Sequence, residues 1–261
     1  MLVSEESAKY LTINTHLGLY QYNRLPFGVA SAPAIFQRAM DQILQGIPGV
    51  ICYIDNILVI GSTRDEHVQR LEEVLKRLKS HGLRVKRNKC MFYKSSVEFL
   101  GHLIDAEGLH ALPSKVTAIS QAPEPQNVQQ LRSFLGLINY YSRFVQNLST
   151  VLHPLNNLLE RDVKWKWTVQ CAEAFKIAKE RLASSQVLAR YDPSLPLRMA
   201  ADASAYGIGA VISHMYPDRS ERPIAFDSRT LSTSEKNYAQ IEKEVLALVY
   251  GVRHFHQYLY G

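Results

Sequence analysis

The sequence lacks any apolar run of the roughly 20 residues that a membrane-spanning helix needs. The longest apolar stretch, around Gly49–Ile60, is interrupted by Asp55. The first residues, MLVSEESAKYL, are acidic and contain no apolar signal-peptide core, so nothing indicates secretion. We therefore expect an intracellular protein without a membrane segment, in a cytoplasmic particle or in the nucleus.

Cysteine is scarce, and its placement excludes a disulfide framework or a cysteine-rich metal site. The chain has 3 cysteines, far apart and without metal-ligand spacing, so reduced buried thiols are expected: Cys52, Cys90 and Cys171. With 261 residues, 46% of them apolar and 21% charged, the chain is globular and long enough for about two domains. A net charge of +6 and a pI near 9.1 weakly favour an acidic partner such as nucleic acid.

The first part of the chain alternates turns, helices and short strands. Strand-like pieces over residues 1–30 end at LPFG, and Ser31 with Pro33 then predicts the start of a helix that Gly46 ends. The segment STRDEHVQRLEEVLKRLKSHG predicts an amphipathic helix with Ser62 or Thr63 as its N-cap. The segments after it predict short strands around turns: LRVKRNKCMFY, SSVEFLGHLID and GLHAL.

Prolines from Pro113 onward mark a change of architecture. The segment NVQQLRSFLGLINYYSRFVQNLSTVLHPLNNLLE predicts two or three short helices, and WKWTVQCAEAFKIAKERLASS predicts another. Three strands follow, LRMAADAS, GIGAVISHM and RPIAFDSRTL, and a long helix then runs to the last residue. Apolar residues three or four apart predict the buried face of this helix: Tyr238, Ile241, Val245, Leu248 and Val252.

The segment GVICYIDNILVIGS places a carboxylate and an amide between two apolar arms that meet at Asp55 and Asn56. One interpretation is an ordinary hairpin, because aspartate and asparagine both tolerate turn conformations. The other is a carboxylate held at a strand end to bind a divalent cation. Mg²⁺ usually takes one or two protein carboxylates together with substrate phosphates.

Two neighbouring segments suit nucleic acid. LPFGVASAPAIFQ carries almost no charge, its small residues admit another molecule close to the backbone, and Phe27 can stack. The second segment, HGLRVKRNKC, is either a solvated basic loop or a phosphate contact. Its cations are Arg84, Lys86, Arg87 and Lys89.

In the C-terminal part, Asp202 in AADASAYGIGAVI lies on a strand that enters a glycine-bearing turn. Glu244 lies beside the apolar face of the long helix, where packing on the sheet would bring it near Asp202. A solvent-exposed glutamate is the alternative, and Glu242 is a competing candidate for the same role.

The order of these elements resembles the reverse transcriptase and RNase H region of a gypsy-like LTR retrotransposon Pol polyprotein, from GLYQYNRLPFG to QYLYG. The resemblance implies that YIDN presents Asp55 as a metal-binding catalytic aspartate, and that FLGH is the primer grip. It also implies binding of Mg²⁺ or Mn²⁺, of dNTPs, of primer–template nucleic acid and of RNA–DNA hybrid. The residues it places against nucleotide, template or primer are Phe27, Gly28, Gln37, Tyr53, Lys89, Leu100 and Gly101.

The same resemblance assigns Asp202 and Glu244 as the first two catalytic, metal-binding carboxylates of the RNase H site, with Ser204 and Gly209 in the DAS…G.G pattern. It favours Glu244 over Glu242, since the family's glutamate directly precedes the apolar VLAL-type run. The family's third carboxylate is an aspartate on the next strand, and we expect it to lie beyond the printed sequence.

Two departures from the family weigh against polymerase activity. Asn56 stands where the family has a second aspartate, and the family's upstream palm aspartate is expected before the resemblance begins. Three other aspartates lie in the wrong elements to replace it: Asp41, Asp65 and Asp105. Because one carboxylate cannot hold a two-metal clamp, we expect the printed chain to be inactive as a polymerase.

The predicted fold class is α+β. We expect a fingers and palm part over residues 1–112, thumb-like helices over 113–160, and a truncated RNase H-like α/β domain over 161–261. The predicted function is that of a fragment of a retrotransposon reverse transcriptase and RNase H, partial at both ends, and we expect this chain by itself to be inactive in both activities. The alternative is a non-catalytic nucleic-acid-binding or assembly module derived from a retroelement.

Overall fold

A computed structural model describes residues 1–260, and the chain divides into two compact units, Met1–Phe92 and Tyr93–Gly261. Each unit is considered by itself. Strands that the sequence places in the fingers and palm part, residues 93–112, belong to the second compact unit, and the three-part division stays a prediction. None of the helices in residues 1–260 is both long and apolar enough to span a membrane.

The first unit contains two hairpins and two substantial helices. Its elements are α1 (Glu5–Ala8), β1 (Thr12–Thr15), β2 (Gly18–Gln21), α2 (Ala32–Leu44), β3 (Val50–Tyr53), β4 (Asn56–Val59) and α3 (Arg64–Ser80). Both predicted helices are confirmed. Pro33 lies in the first turn of α2, Gly46 follows its end with a φ of +80°, and the Thr63 side chain accepts from the Glu66 N–H as the N-cap of α3.

The core of this unit lies where α2 and α3 meet the β3–β4 hairpin. Its buried residues are Met40, Leu44, Ile47, Val74 and Leu78. They recur at helical spacing on the two helices, so the apolar stripes in the sequence are the surfaces that pack together. This packing gives the short β3–β4 hairpin a supporting layer, which two strands alone would lack.

The strand predicted over LRVKRNKCMFY is wrong. The segment after α3 is irregular and contains a single turn of 3₁₀ helix, Arg87–Lys89. Within it, the Lys89 N–H donates to the Lys86 carbonyl at 2.9 Å. The physical reason is that four cations within six positions leave no alternating apolar face that a strand could bury.

The second unit holds two three-stranded antiparallel sheets and the remaining helices. Its elements are β5 (Val97–Phe99), β6 (His102–Ile104), β7 (Leu109–Ala111), α4 (Pro113–Ser120), α5 (Val128–Tyr140), α6 (Leu148–Asn157), α7 (Val169–Ala183), β8 (Leu197–Ala203), β9 (Gly207–Met215), β10 (Glu221–Thr230), α8 (Gln240–His254) and α9 (His256–Leu259). The strand orders are β5-β6-β7 and β10-β9-β8.

Helices α4 to α7 enclose the larger core of this unit. Six of its residues have no exposed surface: Ile119, Leu131, Ile138, Leu155, Ala178 and Leu188. The predicted helical segment is therefore confirmed as a packed bundle. Contacts of α6 with β9 and β10 tie the bundle to the second sheet.

The long C-terminal helix predicted from residue 232 is only partly correct. A 3₁₀ turn, Glu235–Asn237, precedes α8, which begins at Gln240 and ends at His254 before the short α9. An ion pair holds the preceding connection: both Glu235 carboxylate oxygens accept from Arg229 at 2.8 Å. The hydrogen bonds from Arg229, followed by one from the Ser232 N–H, lower the Glu235 pKa to about 2.

The predicted buried face of α8 is wrong. Residues of that face remain at least 36% exposed: Tyr238, Ile241, Val245, Leu248 and Val252. Instead Ala247, with 0% exposure, and Gly251 face the sheet. A Cβ on Gly251 would lie 2.9 Å from both the Ala210 Cβ and the Met199 Sδ, so the small residues allow the closest helix–sheet approach.

Candidate functional site

The β3–β4 hairpin turns one residue earlier than its sequence suggests. Tyr53 pairs with Asn56, so the turn residues are Ile54 and Asp55, and Asn56 lies in β4. The predicted junction at Asp55 and Asn56 is therefore wrong by one position. Ile54 has a φ of +53°, a conformation that disfavours a β-branched residue and normally selects glycine at the first position of such turns.

Gln37 on α2 holds this strained turn. Its Oε1 accepts from the Ile54 N–H at 2.5 Å, and its Nε2 donates to the Cys52 carbonyl at 3.0 Å and to Asp41 Oδ1 at 2.7 Å. Every polar atom of the Gln37 side chain is thus used inside the first unit. A direct nucleotide contact by Gln37 stays a prediction, and the role visible here is to position the hairpin that carries Asp55.

Replacing Gln37 with alanine should loosen the hairpin. It leaves the partly buried Ile54 N–H without its acceptor, at a cost of about 1–2 kcal/mol in the free energy of unfolding of this unit. Hydrogen exchange of the Ile54 and Leu58 amides measures the effect. Gln42→Ala is the matched control, since Gln42 is an exposed glutamine of the same helix. Unchanged protection of Ile54 in Gln37→Ala would contradict the clamp.

The surroundings of Asp55 are acidic and exposed. Burial, with added contributions from the Asp41 and Asp55 charges, raises the pKa of the Cys52 thiol. Asp55 itself is exposed at the turn. Across residues 1–260 no three metal-ligating side chains gather into one group, so Asp55 fits a divalent cation only as one ligand beside substrate phosphates.

The other residues predicted to contact nucleotide are accessible. Phe27 is fully exposed, Tyr53 is 52% exposed, and Gly28 has a φ of +88° with open space where a Cβ would stand. Lys89 and its three neighbouring cations are exposed, and they form no ion pair among those found in the described part of the chain. Accessible cations without anionic partners suit phosphate contacts.

Leu100 and Gly101 form the two-residue turn between β5 and β6, with φ values of 47° and 70°. Sequence reasoning missed the tyrosines at the end of α5 that hold it. The Tyr140 hydroxyl donates to the Leu100 carbonyl, and the Tyr141 hydroxyl donates to the Gly101 carbonyl at 2.8 Å. Only the adjacent aromatics in INYYSRF could have suggested them.

The second candidate site lies at the end of β8. Asp202 is exposed and pairs with Gly209 of β9. Gln240 Nε2 donates both to Glu244 Oε1 at 2.7 Å and to the Ala203 carbonyl at 3.0 Å. One amide group therefore joins the carboxylate of Glu244 to the residue next to Asp202, which brings the two predicted carboxylates to one end of the sheet.

Glu242, the competing candidate, has a different task. Its Oε2 accepts from the Ala239 N–H at 2.8 Å, so its carboxylate caps the start of α8. A further neighbour of Asp202 was not predicted: Asn147 Nδ2 donates to Asp202 Oδ2 at 3.3 Å. The 55 positions between Asn147 and Asp202 explain why the sequence gives no local pattern for this contact.

Two carboxylates at one sheet end fit a hard divalent cation that takes its remaining ligands from water or phosphate. A turn that presents an aspartate, a helical bundle, and a sheet with an Asp–Glu pair follow one another along the chain. This order of elements is the one expected of a class of nucleic-acid-processing proteins, polymerases that carry a nuclease-like domain.

The comparisons identify the family. Residues 3–104 match the family model described as reverse transcriptase (RNA-dependent DNA polymerase), and residues 167–261 match the one described as an RNase H-like domain found in reverse transcriptase. The Tf2-7 and Tf2-8 transposon polyproteins of Schizosaccharomyces pombe are each 36% identical over 244 residues, or 93% of this chain. The chain spans 18% of the length of these relatives.

Solved structures agree. A foamy viral protease-reverse transcriptase dRH in complex with double-stranded DNA matches 98% of this chain and 45% of that one, with a TM-score of 0.85 and 25% identity. The foamy viral protease-reverse transcriptase in complex with RNA/DNA hybrid also gives 0.85 and 25%, over 98% of this chain and 35% of that one. The chain thus belongs to the reverse transcriptase and RNase H region of LTR retrotransposon polyproteins. The predicted family and α+β fold class are confirmed.

Proposed function

We propose that this chain contributes to Mg²⁺- or Mn²⁺-dependent hydrolysis of the RNA strand of RNA–DNA hybrid through Asp202 and Glu244. The observation that carries the proposal is the Gln240 link, which joins Glu244 to the backbone beside Asp202. A bound divalent cation would supply an activated water and stabilise the leaving oxygen. Asp202 and Glu244 would hold the cation, and Gln240 would orient Glu244.

In a polyprotein that also supplies the family's upstream palm aspartate, Asp55 is proposed to serve nucleotidyl transfer from dNTPs to a primer end. Its support is an exposed carboxylate on a turn that Gln37 fixes from below. The basic segment over residues 84–89 is proposed to contact the phosphates of primer–template nucleic acid. The structural neighbours that hold double-stranded DNA or RNA/DNA hybrid support such partners. An intracellular location is part of the same proposal.

Loss of either carboxylate should weaken metal binding. Because Mg²⁺ and Mn²⁺ favour carboxylate oxygens, Asp202→Asn and Glu244→Gln should each lower Mn²⁺ affinity at this site by about tenfold or more. The loss of the free-Mn²⁺ electron paramagnetic resonance signal on titration measures it. Glu242→Gln is the matched control on the same helix and should leave the affinity unchanged. Equal Mn²⁺ binding by all four proteins would contradict the proposed site.

The alternative is a non-catalytic nucleic-acid-binding module. What favours it is that no group of three metal ligands forms anywhere in residues 1–260. Under that alternative, hybrid binding should not respond to Mn²⁺, and Asp202→Asn should strengthen it slightly by removing a negative charge. Under the proposed function, Mn²⁺ should strengthen hybrid binding, and Asp202→Asn should abolish that gain.

A further inference from the structure

The segment Asn147–Thr150, where the helical bundle passes into α6, lies directly against the Asp202 end of the sheet. Asn147 has a left-handed backbone, with a φ of 52°, and its side-chain amide donates to Asp202 Oδ2 at 3.3 Å. Next to it, the Ser149 N–H donates to Ser228 Oγ at 3.0 Å. Thr150 Oγ1 lies 2.9 Å from Ser204 Oγ, within hydrogen-bond distance.

Gly207 and Gly209, which follow Asp202 along the chain, lie against this segment. A Cβ on Gly209 would lie 2.1 Å from Asn147 Oδ1. A Cβ on Gly207 would lie 2.8 Å from Ser149 Oγ and 3.0 Å from Thr150 Oγ1. Neither glycine has a positive φ, so the backbone does not require glycine at these positions. Glycine is instead needed at positions 207 and 209 because residues 147–150 occupy the space that a side chain would fill.

We propose that Asn147 is a positioning residue for the metal-binding carboxylate Asp202, so that the helical bundle contributes to the RNase H-like site. This inference rests on the proposed function. The amide donates to one carboxylate oxygen, Oδ2, and leaves Oδ1 free for a cation. Partners that orient a ligand in this way typically change metal affinity by 10–100-fold when they are removed.

The absence of a side chain at Gly209 leaves the space that the Asn147 amide occupies. Asn147 Oδ1 occupies the position of the absent Cβ, so any larger residue at 209 must push the amide away from Asp202. The nearest atom outside Asn147 to that Cβ position is the Asp227 carbonyl oxygen at 3.6 Å, an ordinary contact. The steric conflict at 209 is therefore with Asn147 alone.

The test uses the whole chain and Mn²⁺ as the probe. Asn147→Gly removes the amide and keeps the left-handed backbone that asparagine and glycine both tolerate. We expect about a tenfold loss of Mn²⁺ affinity, at the lower end of the usual range because the hydrogen bond is long. Asn127→Gly is the matched control: Asn127 caps α5 through the Gln130 N–H and has no hydrogen bond to Asp202. It should bind Mn²⁺ as the unsubstituted chain does.

A double-mutant cycle separates the positioning of Asp202 by Asn147 from a general loss of fold stability. Gly209→Ala alone should lower both Mn²⁺ affinity and the urea midpoint of the second unit, because the new methyl group displaces Asn147. In the Asn147→Gly background the same change should lower neither, since the conflicting atom is gone. Equal effects of Gly209→Ala in both backgrounds would overturn the steric argument.

The two proposals fail in different ways. If the unsubstituted chain binds Mn²⁺ through Asp202 and Asn147→Gly binds it equally well, the positioning role is wrong and the metal site stands. If Asp202→Asn has no effect on Mn²⁺ binding, the metal site is wrong, and the role of Asn147 falls with it. A tenfold loss in Asn147→Gly with an unchanged urea midpoint supports both.

Discussion

Primer–template binding by this chain should weaken by at least about 100-fold between about 50 and 200 mM salt. Each phosphate that a cation neutralises adds about 0.9 to the slope of log affinity against log salt. The segment over residues 84–89 supplies four exposed cations, so it alone predicts a slope of about −3.6. Fluorescence anisotropy with a labelled primer–template measures the slope directly.

A charge-neutral variant assigns the effect to this segment. Replacing Arg84, Lys86, Arg87 and Lys89 with glutamine should reduce the slope by about 3.6 and weaken binding most at low salt. The matched control replaces four exposed cations of the same unit: Lys9, Arg24, Lys76 and Lys79. A flat salt response of the unsubstituted chain, or an equal loss in both variants, would contradict a phosphate-binding role for residues 84–89.

The 261-residue chain should not extend a primer, and Asn56→Asp should not restore extension. In-line nucleotidyl transfer uses two metal ions clamped by several carboxylates. Here Asp55 is the only carboxylate in the hairpin turn, and the exposed Asn56 is the first residue of β4, paired with Tyr53. A second carboxylate at position 56 would still leave the upstream aspartate of the family unmatched in this sequence.

Incorporation of labelled dNTPs on an annealed primer–template, with an active reverse transcriptase as the positive control, measures extension. Primer extension by Asn56→Asp that is lost in the Asn56→Asp/Asp55→Ala double variant would contradict this prediction. It would show that the predicted start of the palm in this sequence is wrong. Binding of primer–template without extension agrees with both the proposed function and the non-catalytic alternative. Their different Mn²⁺ responses on RNA–DNA hybrid separate the two.

Local sequence patterns predicted the elements well where one residue type dictates one conformation. Thr63 caps α3, Pro33 lies in the first turn of α2 and Gly46 follows its end, as the sequence indicates. The Asp202–Glu244 pair was predicted from the family pattern and its role stays a prediction, while Gln240 joins Glu244 to the backbone beside Asp202. These features depend on neighbours within a few residues or on a motif with a fixed spacing.

The rest depends on contacts that the sequence does not encode locally. Two faces of α8 could pack against the sheet. Apolar periodicity predicts the face with Ile241 and Val245, and that face is exposed. The small face with Ala247 and Gly251 packs instead, because shape and close approach decided the contact rather than hydrophobicity. The contact of Asn147 was not predicted either, because its partner Asp202 lies 55 positions away in the sequence.

The most direct test of the central claim, that Asp202 and Glu244 form a divalent-metal site, is to follow the amide NMR signals of the chain during Mn²⁺ titration with RNA–DNA hybrid present. Mn²⁺ at this site should first broaden the signals of residues 201–204 and 240–246, and Asp202→Asn should prevent that broadening. Sharp signals in both stretches while others broaden, or broadening that persists in Asp202→Asn, would contradict the claim.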